Sequence, residues 1–232
     1  MISHRRWAAL EKADLGWLRA GYHFQLSQDG APAHGAIGPL IVWNDDEIAV
    51  GGGFPMHGHR DMEILTYVRQ GVLGHKDDLG SEMSLRAGEV QVMSAGTGIR
   101  HAEFNQGDVP LKIYQIWLLP REHGGMPQWS TRSFPASERA AGFVVLASGD
   151  AEDHEALLIR ADARLLAASL KAGQEVRQHL APSRQAYLVV ATGRIEVNGE
   201  PMGPRDGAAI SDMAAIHVVA LEDAELVMLE AC

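Results

Sequence analysis

Cysteine is nearly missing from this chain: among 232 residues the single one is Cys232. An intrachain disulfide and a cysteine-built metal cluster are both excluded. The thiol-poor composition suits a reducing compartment, and the cytoplasm is the expected location. Long apolar runs are missing too. None approaches the ~20 residues that a membrane-spanning helix needs, so no membrane partner is expected. Glu11, Lys12 and Asp14 interrupt the stretch after Arg5 and Arg6, and no secretory signal is expected there. Basic blocks are absent: 20 Lys and Arg against 30 Asp and Glu give a formal net charge of −10. Nucleic-acid binding relies on cations that neutralise phosphates, so no direct nucleic-acid partner is expected. Helical periodicity is weak, with one turn's worth at 7–12 and another at 137–140.

What is present is a succession of short β-like segments. They fall at 48–50, 64–68, 89–93, 111–119, 143–146, 165–170, 187–190, 194–197, 207–210, 216–220 and 225–229, with Gly, Asp, Asn and Pro between them. Many short strands separated by turn residues predict an all-β sandwich or barrel. The stretch 120–141 differs, with Pro120, Gly124, Gly125, Pro127 and Pro135, and reads as a linker. The division expected is an N-terminal domain over 1–120, a linker over 121–141 and a C-terminal domain over 142–232.

The two halves share a spacing. Gly51, His57, His59, Glu63 and Gly71 are matched at equal intervals by Gly173, His179, Ala181, Gln185 and Gly193. Equal spacing in two β-rich halves predicts two copies of one barrel. Only the first copy keeps the polar set.

That set carries the chemistry. On a strand, residues i and i+2 point to one face, so His57 and His59 enter one cavity together. His101 and Glu103 have the same spacing on another predicted strand. Three imidazoles and a carboxylate suit Fe, Mn, Co, Ni, Cu or Zn better than Mg or Ca. A closed tetrahedral zinc site and an octahedral site with open positions both fit the spacing. A lone buried histidine is more often a core residue, and that reading is preferred for His4, His23, His34, His123, His154, His179 and His217. His75 is expected near the mouth of the cavity, also in a structural role. Glycines 51–53, 96 and 98 allow tight turns and close backbone approach beside the site. Gln115 is the polar residue of the apolar strand around Tyr114 and Trp117; it either bonds a ligand or satisfies a backbone group. Phe54 and Met93 are expected as apolar wall.

GGGFPMHGHRDMEILTYVRQG (51–71) resembles the first cupin motif, and GEVQVMSAGTGIRHAEFN (88–105) resembles the second. Within cupins the chain is most similar to pirins, specifically the bacterial pirin-like quercetin 2,3-dioxygenases. The resemblance implies a bicupin, two jelly-roll-like β-barrels with a metal site in the N-terminal one only. It places the ligands on His57, His59, His101 and Glu103. Many other cupins use the glutamate after the HxH, here Glu63, so Glu63 competes with Glu103; the expectation is Glu103 as ligand and Glu63 behind it, orienting an imidazole. The implied cofactor is one divalent transition metal, Fe(II) foremost, with Mn, Co, Ni, Cu and Zn as alternatives. The implied activity is a dioxygenase that opens the heterocyclic ring of flavonols such as quercetin and releases carbon monoxide, with Glu103 both ligand and catalytic base. Its partners would be a small aromatic substrate and dioxygen. The alternatives are a non-enzymatic, metal-binding regulatory protein with a protein partner, and a metal enzyme that does no redox chemistry.

Overall fold

The computed structural model describes residues 1–24 and 34–232. Their regular secondary structure is almost entirely strand. Their one short helix is a 3-10 turn at Trp7–Ala9, which gives way to the strand Glu11–Asp14. The second expected helical turn, at 137–140, is a plain turn. No helix among the described residues is long and apolar enough to cross a membrane.

Four sheets, antiparallel except where Val144–Ser148 pairs in parallel with Leu157–Leu158, build two barrels, each from a seven-stranded and a four-stranded sheet. In the first, the small sheet runs Gly53–His59, Ile99–Asn105, Val72–Asp77, Glu82–Arg86. In the second, the corresponding order is Glu175–His179, Ala215–Ala220, Ile195–Val197, Glu200–Met202. The large sheets correspond as well. Glu63–Gln70 and Leu111–Leu118 are neighbours in one, as Gln185–Thr192 and Ala224–Ala231 are in the other. The repeat in the spacing is thus a repeat in topology.

The boundaries differ from expectation in an instructive way. Ile2–Arg5 does not join the first barrel; it pairs with Gly207–Ile210 at the edge of the second barrel's large sheet. The stretch 121–141 is not a bare linker, because it contains the strand Gln128–Ser133, which pairs with Glu89–Ser94 of the first barrel. The segment leading into each half therefore closes an edge of the other. Sheet edges left open are templates for association, and this exchange covers two of them.

The large sheets face one another. Trp43, Tyr67 and Tyr114 from one and Tyr187, Leu165 and Val227 from the other share a single buried apolar cluster. Polar groups pin this junction: Arg139 donates through Nη1 to Tyr67 and to Glu225, both at 2.7 Å. The barrel interiors differ. The second is filled by one apolar cluster that includes Leu166, Leu188, Ile216, Val218 and Met228. The first holds two smaller clusters, one around Ile48, Leu73 and Ile113 and another around Ile64, Met93 and Ile99. Between those two lies polar space.

Candidate metal centre

The polar face of the first barrel follows from register. Directly opposed residues of an antiparallel pair share a face. In the small sheet His101 opposes His57 on one side and Asp77 on the other, while Glu103 opposes Phe54 and His75. One central strand therefore brings His57, His101, Glu103, His75 and Asp77 to one surface, and His59, two along from His57, joins them. A bulge lies opposite Ala102, where two steps along Ile99–Asn105 match three along Gly53–His59. It holds Pro55, which has no N–H for the ladder. Gly53 is obligatory here: a Cβ would lie 2.4 Å from the Glu103 carbonyl oxygen.

These side chains end in a cavity of about 260 Å³ lined by Asn44, Asp46, Phe54, Ile64, Gln115 and Trp117 together with His57, His59, His101 and Glu103. The imidazole centroids lie 4.8 Å (His57–His59), 4.5 Å (His57–His101) and 5.1 Å (His59–His101) apart. Donor atoms of these three histidines all fall within 4.8 Å of one another. His57 Nδ1 lies 2.8 Å from the Pro55 carbonyl and donates to it, which leaves Nε2 with its lone pair. His59 sits edge-on to Trp117 at 5.0 Å.

Burial sets the charges. It depresses His101 to about 3, helped by His57, His75 and His59, and depresses His59 to about 4, helped by His57. Both imidazoles are neutral at physiological pH, the state that ligates metals. Burial raises Glu103 to about 7, although the hydrogen bond from Gln115 pulls the other way. Gln115 Nε2 donates to Glu103 Oε2 at 2.8 Å, and Thr66 Oγ1 donates to Gln115 Oε1 at 3.1 Å. Glu103 Oε1 and His101 Nε2 are buried without any hydrogen-bond partner. Stranding such atoms costs about 1–3 kcal/mol each. A cation held between them removes that cost, so the donor set fits a first-row transition ion.

Glu63 departs from expectation. It is 2% exposed. Its Oε2 accepts from Ser94 Oγ at 2.7 Å and from the Arg160 backbone N–H at 2.8 Å. No imidazole is among those partners. Side chains alternate along Glu63–Gln70, and it is Ile64 that lines the cavity. Glu63 faces the other way, toward the second half.

Other expectations resolve simply. Gln115 bonds a candidate ligand rather than the backbone. Phe54 and Trp117 line the cavity. Met93 packs in the apolar cluster beside it, and Tyr114 in the core between the barrels. His179 is exposed, and Gln185 lies at the exposed start of its strand. His75 is fully buried beside His101, not at the mouth. Sequence reasoning missed Asn44 and Asp46, which sit on Leu40–Ile48, a strand read only from residue 48. Burial and the neighbouring carboxylates of Asp45 and Glu103 raise Asp46 to about 8, so it is largely neutral at pH 7.

Two barrels of this topology, one with a histidine-rich interior and one filled, define a bicupin. Residues 4–118 match the Pirin family and residues 145–231 match a family described as quercetinase C-terminal cupin domain. The chain belongs to the pirin family. It is 50% identical to a pirin-like protein of Caulobacter vibrioides, with 100% of each chain covered. It is 39% identical to a quercetin 2,3-dioxygenase of Escherichia coli K12, over 94% of this chain and 93% of that one. The crystal structure of YhhW from Escherichia coli superposes with a TM-score of 0.93 at 36% identity, covering 100% of this chain and 98% of the other. A second structure, of bacterial pirin YhhW in complex with nickel(II), gives 0.92 at 36% identity, with 100% and 99% covered.

Proposed function

We propose that this chain is a metal-dependent dioxygenase that opens the heterocyclic ring of flavonols such as quercetin with dioxygen, releasing carbon monoxide, and that it works in the cytoplasm. The observation that carries the reading is the convergence of three imidazoles, with the unpartnered His101 Nε2 and Glu103 Oε1, on one cavity with aromatic walls. The ligands are His57, His59, His101 and Glu103. Fe(II) is the first candidate, and Mn, Co, Ni, Cu and Zn suit the same donors. When bound, the metal would acidify a coordinating hydroxyl and bring an enolate and dioxygen together.

The chain's own residues do the rest. Glu103 is the carboxylate that would take the proton of a flavonol hydroxyl, its Oε1 being free of any hydrogen-bond partner. Gln115 holds one carboxylate oxygen and so aims the other into the cavity. Phe54, Ile64 and Trp117 give the cavity an apolar wall, and the Phe54 and Trp117 rings offer flat faces to an aromatic substrate. Purified, metal-loaded protein should consume dioxygen and release carbon monoxide when given quercetin. Turnover that persists unchanged in His57→Ala and His101→Ala would overturn the reading.

One observation favours a second reading. The cavity, about 260 Å³, is smaller than the ~300–1,000 Å³ usual for drug-sized ligands. A regulatory protein whose metal tunes the binding of a protein partner needs no larger space. Partner capture that changes with the metal's oxidation state, without flavonol turnover, would decide for it.

A further inference from the structure

Behind His101 lies a second layer of buried polar groups that no step above uses. His75, Asp77 and Gln91 are each 3% exposed or less. Gln91 Nε2 lies 3.3 Å from His75 Nδ1, and His101 Nδ1 lies 3.5 Å from the same atom. On the far side of the ring, His75 Nε2 is 3.9 Å from Asp77 Oδ2; neither atom has a hydrogen-bond partner, so the carboxylate acts on the ring by charge alone. Asp77 is itself fixed, because its Oδ1 accepts from the backbone N–H groups of Leu79 and Ser81 at 3.0 and 2.9 Å.

An amide nitrogen can only donate, so His75 Nδ1 must accept from Gln91. A neutral imidazole that accepts at Nδ1 carries its proton on Nε2, the atom that faces the Asp77 carboxylate. His101 meets the same accepting nitrogen and must therefore present Nδ1–H to it. Its lone pair is then left on Nε2, the buried atom without a partner. Both contacts to His75 Nδ1 are long, as befits one lone pair shared between two donors.

We propose that Asp77, His75 and Gln91 form a tautomer lock that keeps His101 in its Nδ1–H form with Nε2 free to ligate. These are positioning residues acting through His101. The proposal rests on the metal reading for its purpose, but the lock is a property of the metal-free protein.

The decisive variant is His75→Phe, which keeps a ring in place and removes the acceptor that His101 Nδ1–H meets. Nitrogen-15 NMR of the histidine rings in metal-free protein reads the tautomers directly. The expected result is Nδ1–H on His101 in the parent and loss of that preference in His75→Phe. Affinity for Co(II) should fall about 10–100-fold, the usual effect of removing a ligand's supporting partner. His75→Gln, whose amide oxygen can accept from His101, should hold the parent tautomer. Nε2–H on His101 in the parent, or an unchanged tautomer in His75→Phe, would overturn the proposal. Failure of Co(II) to bind the parent at all would sink the metal reading and leave the tautomer result standing.

Discussion

Gln115 and Glu103 sit on different sheets of the first barrel, and the 2.8 Å bond from Gln115 Nε2 to Glu103 Oε2 ties the two sheets together at the floor of the cavity. The bond fixes one carboxylate oxygen and frees the other. Gln115→Leu should preserve the fold and strand Oε2 in an apolar wall. We expect metal affinity to drop about 10–100-fold, measured by competition against a chromophoric chelator. An unchanged affinity would remove Gln115 from the site's support.

Proton competition should weaken metal binding as pH falls. Glu103 must be ionised to ligate, and its position at about 7 lies far above His59 at about 4 and His101 at about 3. Affinity should fall by at least tenfold per unit well below 7, since the Glu103 proton is displaced. The loss between pH 8 and pH 5 should be at least about 100-fold. Isothermal titration at several pH values checks it. An affinity that stays level from pH 8 to pH 5 would mean that burial does not hold Glu103 up in the metal-free site.

The two glutamates should separate cleanly. Glu63→Ala removes the acceptor for Ser94 and for the Arg160 backbone and should cost about 1.5–3 kcal/mol of stability. Its metal content should not change. Glu103→Ala should lose metal and cost little folding stability in the metal-free form. Thermal melts with elemental analysis on both variants test the pair, and metal loss in Glu63→Ala would reverse the assignment.

Metal removal should lower the melting temperature reversibly. A ligand held at 100 times its dissociation constant stabilises by about 2.7 kcal/mol. Chelation should remove that increment, and restoring the ion should return it. The His57→Ala variant should show no such difference.

Much of this site was legible because strand parity is simple. His57 and His59, and His101 and Glu103, are two apart, and only a strand makes such pairs co-facial. The same rule applied to His75 and Asp77 would have found the layer behind His101, but the pair lies in a short segment between glycines with no second histidine to flag it. Asp46 was hidden for another reason. Leu40–Ile48 carries Asn44, Asp45, Asp46 and Glu47 in a row, which reads as a loop. It is a strand because its polar residues have buried partners: Asp45 takes Arg69 and Arg205, while Asp46 faces the cavity. Glu63 lies at even spacing from His59 yet faces away from the cavity, because Asp61 between them adopts a positive φ of 49° and breaks the alternation. Exchange of edge strands between the barrels left no trace in local pattern, since it depends on pairings distant in sequence, such as Ile2 with Ile210 and Gln128 with Ser94.

That exchange has a consequence for how the molecule is made. Ile2–Arg5 finds its partner only when Gly207–Ile210 has been synthesised. At translation rates of about 5–20 residues per second, the wait is on the order of 10–40 s. The first barrel, meanwhile, cannot cover its open edge until Gln128–Ser133 has emerged. Neither half is finished before the other is under way, so a ribosome-bound chain halted near residue 120 should expose an unpaired edge and recruit chaperones, whereas the released full-length chain should not.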